Sequence, residues 1–189
     1  MAIPDPIDPK SRLRESLRRN NPADAPDSQR VCNRIDLWLA ERPELAIIAA
    51  FSAIHGEVDL TEMIARHPER TWVYPRITGD HLTFHAVKDP TRELIRGAFG
   101  ILEPSPTLAE VALETIDAFL CPGLAFDLQG GRLGRGRGFY DRILAASRND
   151  AVKIGVCFPH QIVRDTFMES HDIHMDEVVS EEQGAGSKE

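Results

Sequence analysis

The chain predicts an α/β fold: a single domain with a mainly parallel central sheet flanked by helices. Three observations carry this. The apolar runs LAIIAAF at 45–51, IDAFL at 116–120 and VKIGVCF at 152–158 have the length and composition of strands buried on both faces. Stretches with helical apolar spacing lie between them, so strand and helix alternate. A glycine-rich segment leaves one such run and leads into a helix, which is where open parallel sheets hold their ligands. The 189 residues, 42% hydrophobic and 28% charged, fit one domain that buries about 70% of its unfolded surface. That composition excludes wholesale disorder, a collagen-like fibre and a disulfide scaffold. No apolar run approaches the roughly 18 residues of a membrane span.

The elements follow in order. Residues 1–9 carry three prolines and read as an extended arm. Leu13 and Leu17 stand one turn apart, so residues 10–20 form a short amphipathic helix, which NNPADAPD then breaks. Residues 28–41 resume helical spacing, with Val31, Ile35, Trp38 and Leu39 on one face and Asp27 or Ser28 as the N-cap. The run at 45–51 is the first buried strand. Asp59 followed by Glu62 resembles a capping box, opening a helix to about residue 67. TWVYPRI at 71–77 is the next strand, with Pro75 near its end. HLTFHAV at 81–87 alternates apolar and polar, as a strand with one exposed face does. Residues 92–100 fit no single element, and ILEPSPT reads as a proline-punctuated loop. After the strand at 116–120, residues 123–138 form a glycine-rich loop and residues 139–147 a helix. Strands at 152–158 and 176–180 complete the domain, which spans 10–182. Residues 183–189 read as a flexible tail.

The balance of 22 basic and 30 acidic residues gives a net charge of −8. Nucleic-acid binding rests on neutralising phosphates, and an acidic chain is a poor start for it. Two local basic patches, at 10–19 and 132–142, instead suit a small anionic ligand. Cys32, Cys121 and Cys157 lack metal-like spacing and read as buried thiols in a reducing compartment. The N-terminus lacks the charged flank and apolar stretch of a secretory signal, so the cytoplasm is the expected location.

The chemistry concentrates in PGLAFDLQGGRLGRGRGFYDR at 122–142. Gly134, Gly136 and Gly138 permit positive φ and close backbone approach. Successive amides at a helix entrance then form a concave anion site. Arg132, Arg135 and Arg137 add cationic forks suited to phosphate oxygens. Asp141 is a candidate Mg²⁺ ligand. The loop is neither a P-loop nor GxGxxG, and the same spacing also suits an arginine-rich surface loop. The seven histidines show no zinc spacing.

This segment resembles the signature of the 5-formyltetrahydrofolate cyclo-ligase (5,10-methenyltetrahydrofolate synthetase) family: PGLAFD, then RLG, alternating glycines, and a tyrosine pair followed by Asp-Arg. Phe139 replaces the first tyrosine, and Arg137 stands where a glycine is common. Further stretches resemble the family in order: KSRLR at 10–14, GEVD at 56–59, YPR at 74–76, GILEP at 100–104, QIV at 161–163 and HD at 171–172. The resemblance implies a fold similar to sugar-phosphate isomerases and CoA transferases. It implies ATP-dependent conversion of 5-formyltetrahydrofolate, with or without a polyglutamate tail, to 5,10-methenyltetrahydrofolate, with Mg²⁺ and without nucleic acid or membrane. A monomer is the default expectation.

By the same resemblance, Lys10, Arg14, Arg132, Gly134, Arg135, Gly136, Arg137, Gly138, Phe139 and Tyr140 contact ATP. Arg135 and Tyr140 are the catalytic candidates, Arg135 by steadying the transferring phosphoryl. Ser52, Glu57 and Tyr140 bind the folate, with Phe51 and Phe99 as further walls. Asp141 and Asp172 hold the metal, with Asp176 as a neighbour able to substitute. Without the resemblance, Lys10 and Arg14 read as a solvated helix face and Tyr140 as core. The substitutions at Arg137 and Phe139 motivate an alternative, a non-catalytic folate- or nucleotide-binding homologue with a regulatory role.

Overall fold

The computed structural model describes residues 8–19 and 27–181. The expected tail at 183–189 lies outside the described residues. So does the expected arm, apart from Asp8 and Pro9, and Pro9 already opens the first helix.

Helix α1 (Pro9–Arg19) begins where Asp8 accepts the backbone N–H groups of Lys10 and Ser11, at 3.3 and 3.0 Å, with proline at the position that has no N–H to waste. Helix α2 (Ser28–Ala40) is capped by Asp27, whose side chain accepts the Gln29 N–H. The Ser28 hydroxyl instead accepts the Asp59 N–H at 2.9 Å. At the other end, Arg70 donates to the carbonyls of Leu39, Arg42 and Leu45. Val31, Ile35, Trp38 and Leu39 are all buried, as their spacing predicts.

The sheet is built from β1 (Ile47–Ala49), β2 (Thr71–Thr78), β3 (His81–Ala86), β6 (Glu110–Val111), β7 (Ala118–Cys121), β10 (Val152–Val156) and β11 (Glu177–Val179). Its seven strands run in the order β11-β10-β7-β1-β2-β3-β6. Every pairing from β11 to β2 is parallel, and β3 is antiparallel to both β2 and β6. Side chains alternate between two cores, as a pleated strand requires. Ile48, Trp72, Tyr74, Leu120 and Ile154 face α2 and α3 (Thr61–Ala65). Ala49, Val73, Phe119 and Cys121 face α5 (Phe139–Ala146). The three buried thiols are pushed up to about 11 at Cys32 and about 12 at Cys121 and Cys157 by burial, so they act as small apolar groups. Among the described residues no helix is long and apolar enough to cross a membrane.

Several expectations need correction. α3 begins at Thr61 without a capping box. Asp59 instead closes a local turn onto the Thr61 N–H and hydroxyl, at 2.9 and 2.6 Å. Residues 92–100 divide into α4 (Pro90–Glu93), β4 (Leu94–Arg96) and a 3₁₀ turn at Ala98–Gly100. Part of ILEPSPT is a strand, β5 (Leu102–Pro104), antiparallel to β4. The glycine-rich loop contains a small hairpin, β8 (Ala125–Phe126) with β9 (Arg132–Leu133). Two- and three-residue strands are too short to leave a periodicity in sequence.

The hairpin wedges Phe126 against β10. A Cβ added at Gly155 would lie 2.5 Å from the Phe126 ring. Gly155→Ala should therefore overpack the core and destabilise by about 1–3 kcal/mol, read as a lower denaturant midpoint. An unchanged midpoint would mean that the ring has room to move.

Candidate active site

Along its parallel part the sheet reads β2-β1-β7-β10-β11, so the chain reverses direction of travel between β1 and β7. Loops leaving neighbouring strands part at such a reversal and open a crevice at the carboxyl ends. A cleft of about 1140 Å³ lies there. Phe51, Ser52 and Glu57 reach it from the exit of β1, and Pro122 and Gly123 from the exit of β7. Every residue assigned above to nucleotide, folate or metal lines this one cleft, except Asp176, the substitute metal candidate.

The glycine loop forms its floor. Gly136 has φ 96° and Gly138 φ 65°, conformations that cost a side chain steric strain. Gly138 is the N-cap of α5. Gly134 does not adopt positive φ, contrary to expectation. Its carbonyl accepts Arg14 Nε at 3.0 Å, tying α1 to the loop.

The basic residues, alike in sequence, have different partners. Arg132 is buried. Its Nη2 donates to Asp141 Oδ1 at 2.8 Å, and its guanidinium lies 5.2 Å from the Tyr140 ring. Arg135 grips Glu57 Oε1 through Nε at 3.2 Å and Nη2 at 3.0 Å. Arg137 stacks 4.0 Å over Phe99, itself at φ 58°. Arg142 braces the loop by donating to the Arg137 and Asp80 carbonyls, at 3.1 and 2.7 Å. Lys10 is buried against Asp172 and lies 2.9 Å from Glu169 Oε1.

These settings move the titrations. Burial pushes the Lys10 ammonium down, but hydrogen bonds from it to Asp172 and Glu169 outweigh this and leave it above its ordinary value. Burial pushes Asp172 up, and Lys10 with the Glu169 N–H brings it below the usual carboxylate range. Both are therefore ionised at neutral pH. Glu57 moves the other way: burial raises it, only partly countered by Arg135 and the Ile54 N–H. Tyr140 is raised well above its ordinary value, chiefly by burial and then by Cys121 and Glu57. Its phenol can donate a hydrogen bond near pH 7, but it holds its proton too tightly to act as a base.

Each metal candidate has one oxygen engaged and one without a hydrogen bond. Arg132 takes Asp141 Oδ1 and leaves Oδ2. Lys10 and the Glu169 N–H, the latter at 2.7 Å, both take Asp172 Oδ2 and leave Oδ1, 3.6 Å from His171 Nε2. Glu169, His171 and Asp172 bring donor atoms within 4.8 Å of one another, but an imidazole is a poor partner for hard Mg²⁺. Asp176 does not line the cleft; its carboxylate accepts the Lys153 N–H at 2.7 Å.

Two supporting residues had no assigned role in sequence. Asp127 accepts the Gln129, Gly131 and Thr166 N–H groups and the Thr166 hydroxyl. Gln161 accepts the Phe158 N–H and donates to the Gly123 and Leu124 carbonyls. Both lie in stretches that carry the resemblance, PGLAFD and QIV, yet a polar residue in a loop gives no sign of the backbone it will hold.

A cleft at the reversal of a parallel sheet, bordered by a glycine loop at a helix entrance and by cationic side chains, is the arrangement in which α/β folds present a concave anion site. The model of the 5-formyltetrahydrofolate cyclo-ligase family matches residues 7–181, and the chain belongs to that family. A 5-formyltetrahydrofolate cyclo-ligase of Mycolicibacterium smegmatis is 37% identical over 92 residues, 48% of this chain and 47% of that protein, so the match spans about half of the relative. The enzyme of that name from Escherichia coli K12 is 32% identical over 143 residues, covering 70% of this chain and 76% of its own. The solved structure of Aquifex aeolicus 5,10-methenyltetrahydrofolate synthetase superposes with a TM-score of 0.77 at 32% identity, covering 92% of this chain and 90% of that one.

Proposed function

We propose that the protein is an ATP-dependent 5-formyltetrahydrofolate cyclo-ligase. The observation that carries this is the convergence of residues from α1, the β1 exit, the glycine loop and the segment before β11 on one cleft. Its volume exceeds the roughly 300–1,000 Å³ usual for one small ligand, which suits a nucleotide beside a folate. The cationic side near Lys10, Arg14 and Arg135 suits the triphosphate. The apolar side, with Phe51, Ile77, Leu82 and Phe99, suits the folate ring.

The reaction needs ATP because a formamide oxygen is a very poor leaving group. The formyl oxygen attacks the γ-phosphorus, and the bond to ADP breaks. N10 then attacks the activated carbon and loses its proton to water or to the departing phosphate, and the C–O bond breaks as inorganic phosphate leaves, leaving the methenyl bridge. The protein's part is positioning and charge stabilisation. Gly136 and Gly138 shape the amide cradle, Lys10 and Arg14 hold phosphate oxygens, and Arg135 swings from Glu57 to the phosphoryl in transit. Tyr140, as a neutral phenol, orients the formyl group, while Ser52 and Glu57 hold the folate. Arg132 positions Asp141. Mg²⁺, when bound, neutralises phosphate charge. Asp141 through Oδ2 and Asp172 through Oδ1 would fit it, with phosphate oxygens and water completing the shell. Three buried thiols suit a reducing cytoplasm, and the net negative charge argues against a nucleic-acid partner.

Purified protein with ATP, Mg²⁺ and 5-formyltetrahydrofolate should generate the near-ultraviolet absorption of the methenyl product. ATP binding without that signal would favour a non-catalytic, regulatory homologue instead. Asp141→Asn should move the Mg²⁺ titration of the reaction to higher concentration by about tenfold or more. An unchanged titration would remove Asp141 from the metal site.

A further inference from the structure

Glu103 is the one acidic group of the cleft with no role in the account above. It sits on β5, at the apolar side, and its side chain is 4% exposed. Its Oε1 is buried without a hydrogen-bond partner. The nearest cation, Arg76, is 3.9 Å from Oε2, beyond hydrogen-bond range, and the same Arg76 nitrogen donates to the Pro104 carbonyl at 2.6 Å. Burying a carboxylate in this way opposes folding unless something compensates it. Such groups are kept where a ligand completes them.

The position is built rather than incidental. Glu103 pairs with Ile95 across the β4–β5 ladder, and its side chain lies over Gly97. A Cβ at residue 97 would fall 2.3 Å from Glu103 Cδ, so only glycine there lets the carboxylate lie where it does. An anion at this place repels phosphate, so its partner is an N–H donor. On the apolar side of the cleft that means a flat heterocycle with adjacent N–H groups.

We infer that Glu103 is a further substrate-recognition residue, accepting N–H hydrogen bonds from the aminopyrimidinone ring of the folate. This rests on the proposed activity. It adds a second carboxylate to Glu57, whose Oε1 is already gripped by Arg135. The adenine amino group offers the same kind of donor, and the kinetic arms separate the two sources.

Glu103→Gln retains shape but replaces one acceptor oxygen with a donor. It should raise KM for 5-formyltetrahydrofolate by about 10- to 100-fold, with KM for ATP within about twofold. An analogue lacking the 2-amino group should bind wild type more weakly, and that penalty should shrink in the variant. Gly97→Ala, which displaces the carboxylate without removing it, should raise the same KM. The melting temperature of Glu103→Gln without ligands should equal or exceed that of wild type, because Oε1 makes no hydrogen bond for the variant to lose. A lowered melting temperature with unchanged folate KM would make Glu103 a structural partner of Arg76 and overturn the inference. A shift confined to ATP would assign it to adenine and overturn it equally. Absence of methenyl product from wild type would instead count against the proposed activity. In that case, direct calorimetric titration of both proteins with 5-formyltetrahydrofolate decides the role of Glu103, since equal affinities would refute it.

Discussion

Arg135→Ala is expected to lower kcat by about 100- to 1,000-fold, while KM for ATP changes by no more than about threefold. The reason lies in what each loop arginine already holds. Arg132 is committed to Asp141 and Arg142 to two carbonyls, so neither can move to a phosphoryl group without unmaking the loop. Arg135 is held only by Glu57, at 3.0 and 3.2 Å, and its side chain is 42% exposed. Arg137 lies over the Phe99 ring at 4.0 Å; of the loop guanidiniums held by hydrogen bonds, Arg135 has least to lose on turning toward developing charge, and its contribution should appear in the transition state more than in the bound state. Arg135→Lys keeps the charge but loses the planar fork, so it should recover only part of the rate. Steady-state kinetics with ATP as the varied substrate checks this. A parallel rise in KM and fall in kcat/KM at constant kcat would make Arg135 an ordinary phosphate anchor.

Asp127→Ala should unfold the protein at a markedly lower temperature. The residue is 4% exposed and accepts from Gly131 at 2.8 Å, Gln129 at 3.0 Å, and the Thr166 amide and hydroxyl at 3.0 and 2.6 Å. Removing the acceptor leaves buried donors unpaired, at a loss of about 3–5 kcal/mol. In a chain of this length that lowers the melting temperature by about 6–20 °C. Scanning calorimetry is the test, and a fall of under about 2 °C would mean that water replaces the carboxylate.

The same group ties stability to acid. Burial alone would raise its pKa, but the Thr166 hydroxyl and the backbone donors outweigh burial and leave it below the ordinary carboxylate value. The unfolded chain, near 3.9, therefore binds the proton more readily than the folded one. The stabilisation is complete above about pH 4 and is lost as pH falls through the lower, folded value. Wild type and Asp127→Asn should differ in denaturant midpoint at pH 6 and converge toward pH 3. A gap that stays constant over that range would show that the charge of Asp127 is not what stabilises it.

Much of the architecture is legible in the sequence. Buried parallel strands need continuous apolar runs, and 116–120 and 152–158 contain β7 and β10 within a few residues. α2 was readable because four buried residues recur at helical spacing. The β8–β9 hairpin and β5 were not, since strands of two or three residues are defined by their partner and not by their own pattern. The capping box at Asp59 failed for a related reason: the side chain found the Thr61 N–H and hydroxyl in a local turn instead.

From the sequence alone come the layered α/β alternation, the glycine loop between a strand and a helix, and the motif order that marks the family. Those depend on local spacing, which a linear chain displays directly. Which arginine is free, which carboxylate already carries a cation and which one is left without a partner depend on residues far away along the chain. Arg135 meets Glu57 across 78 positions and Lys10 meets Asp172 across 162. Charge pairing and desolvation are properties of the surroundings in space, so only the folded molecule could decide them.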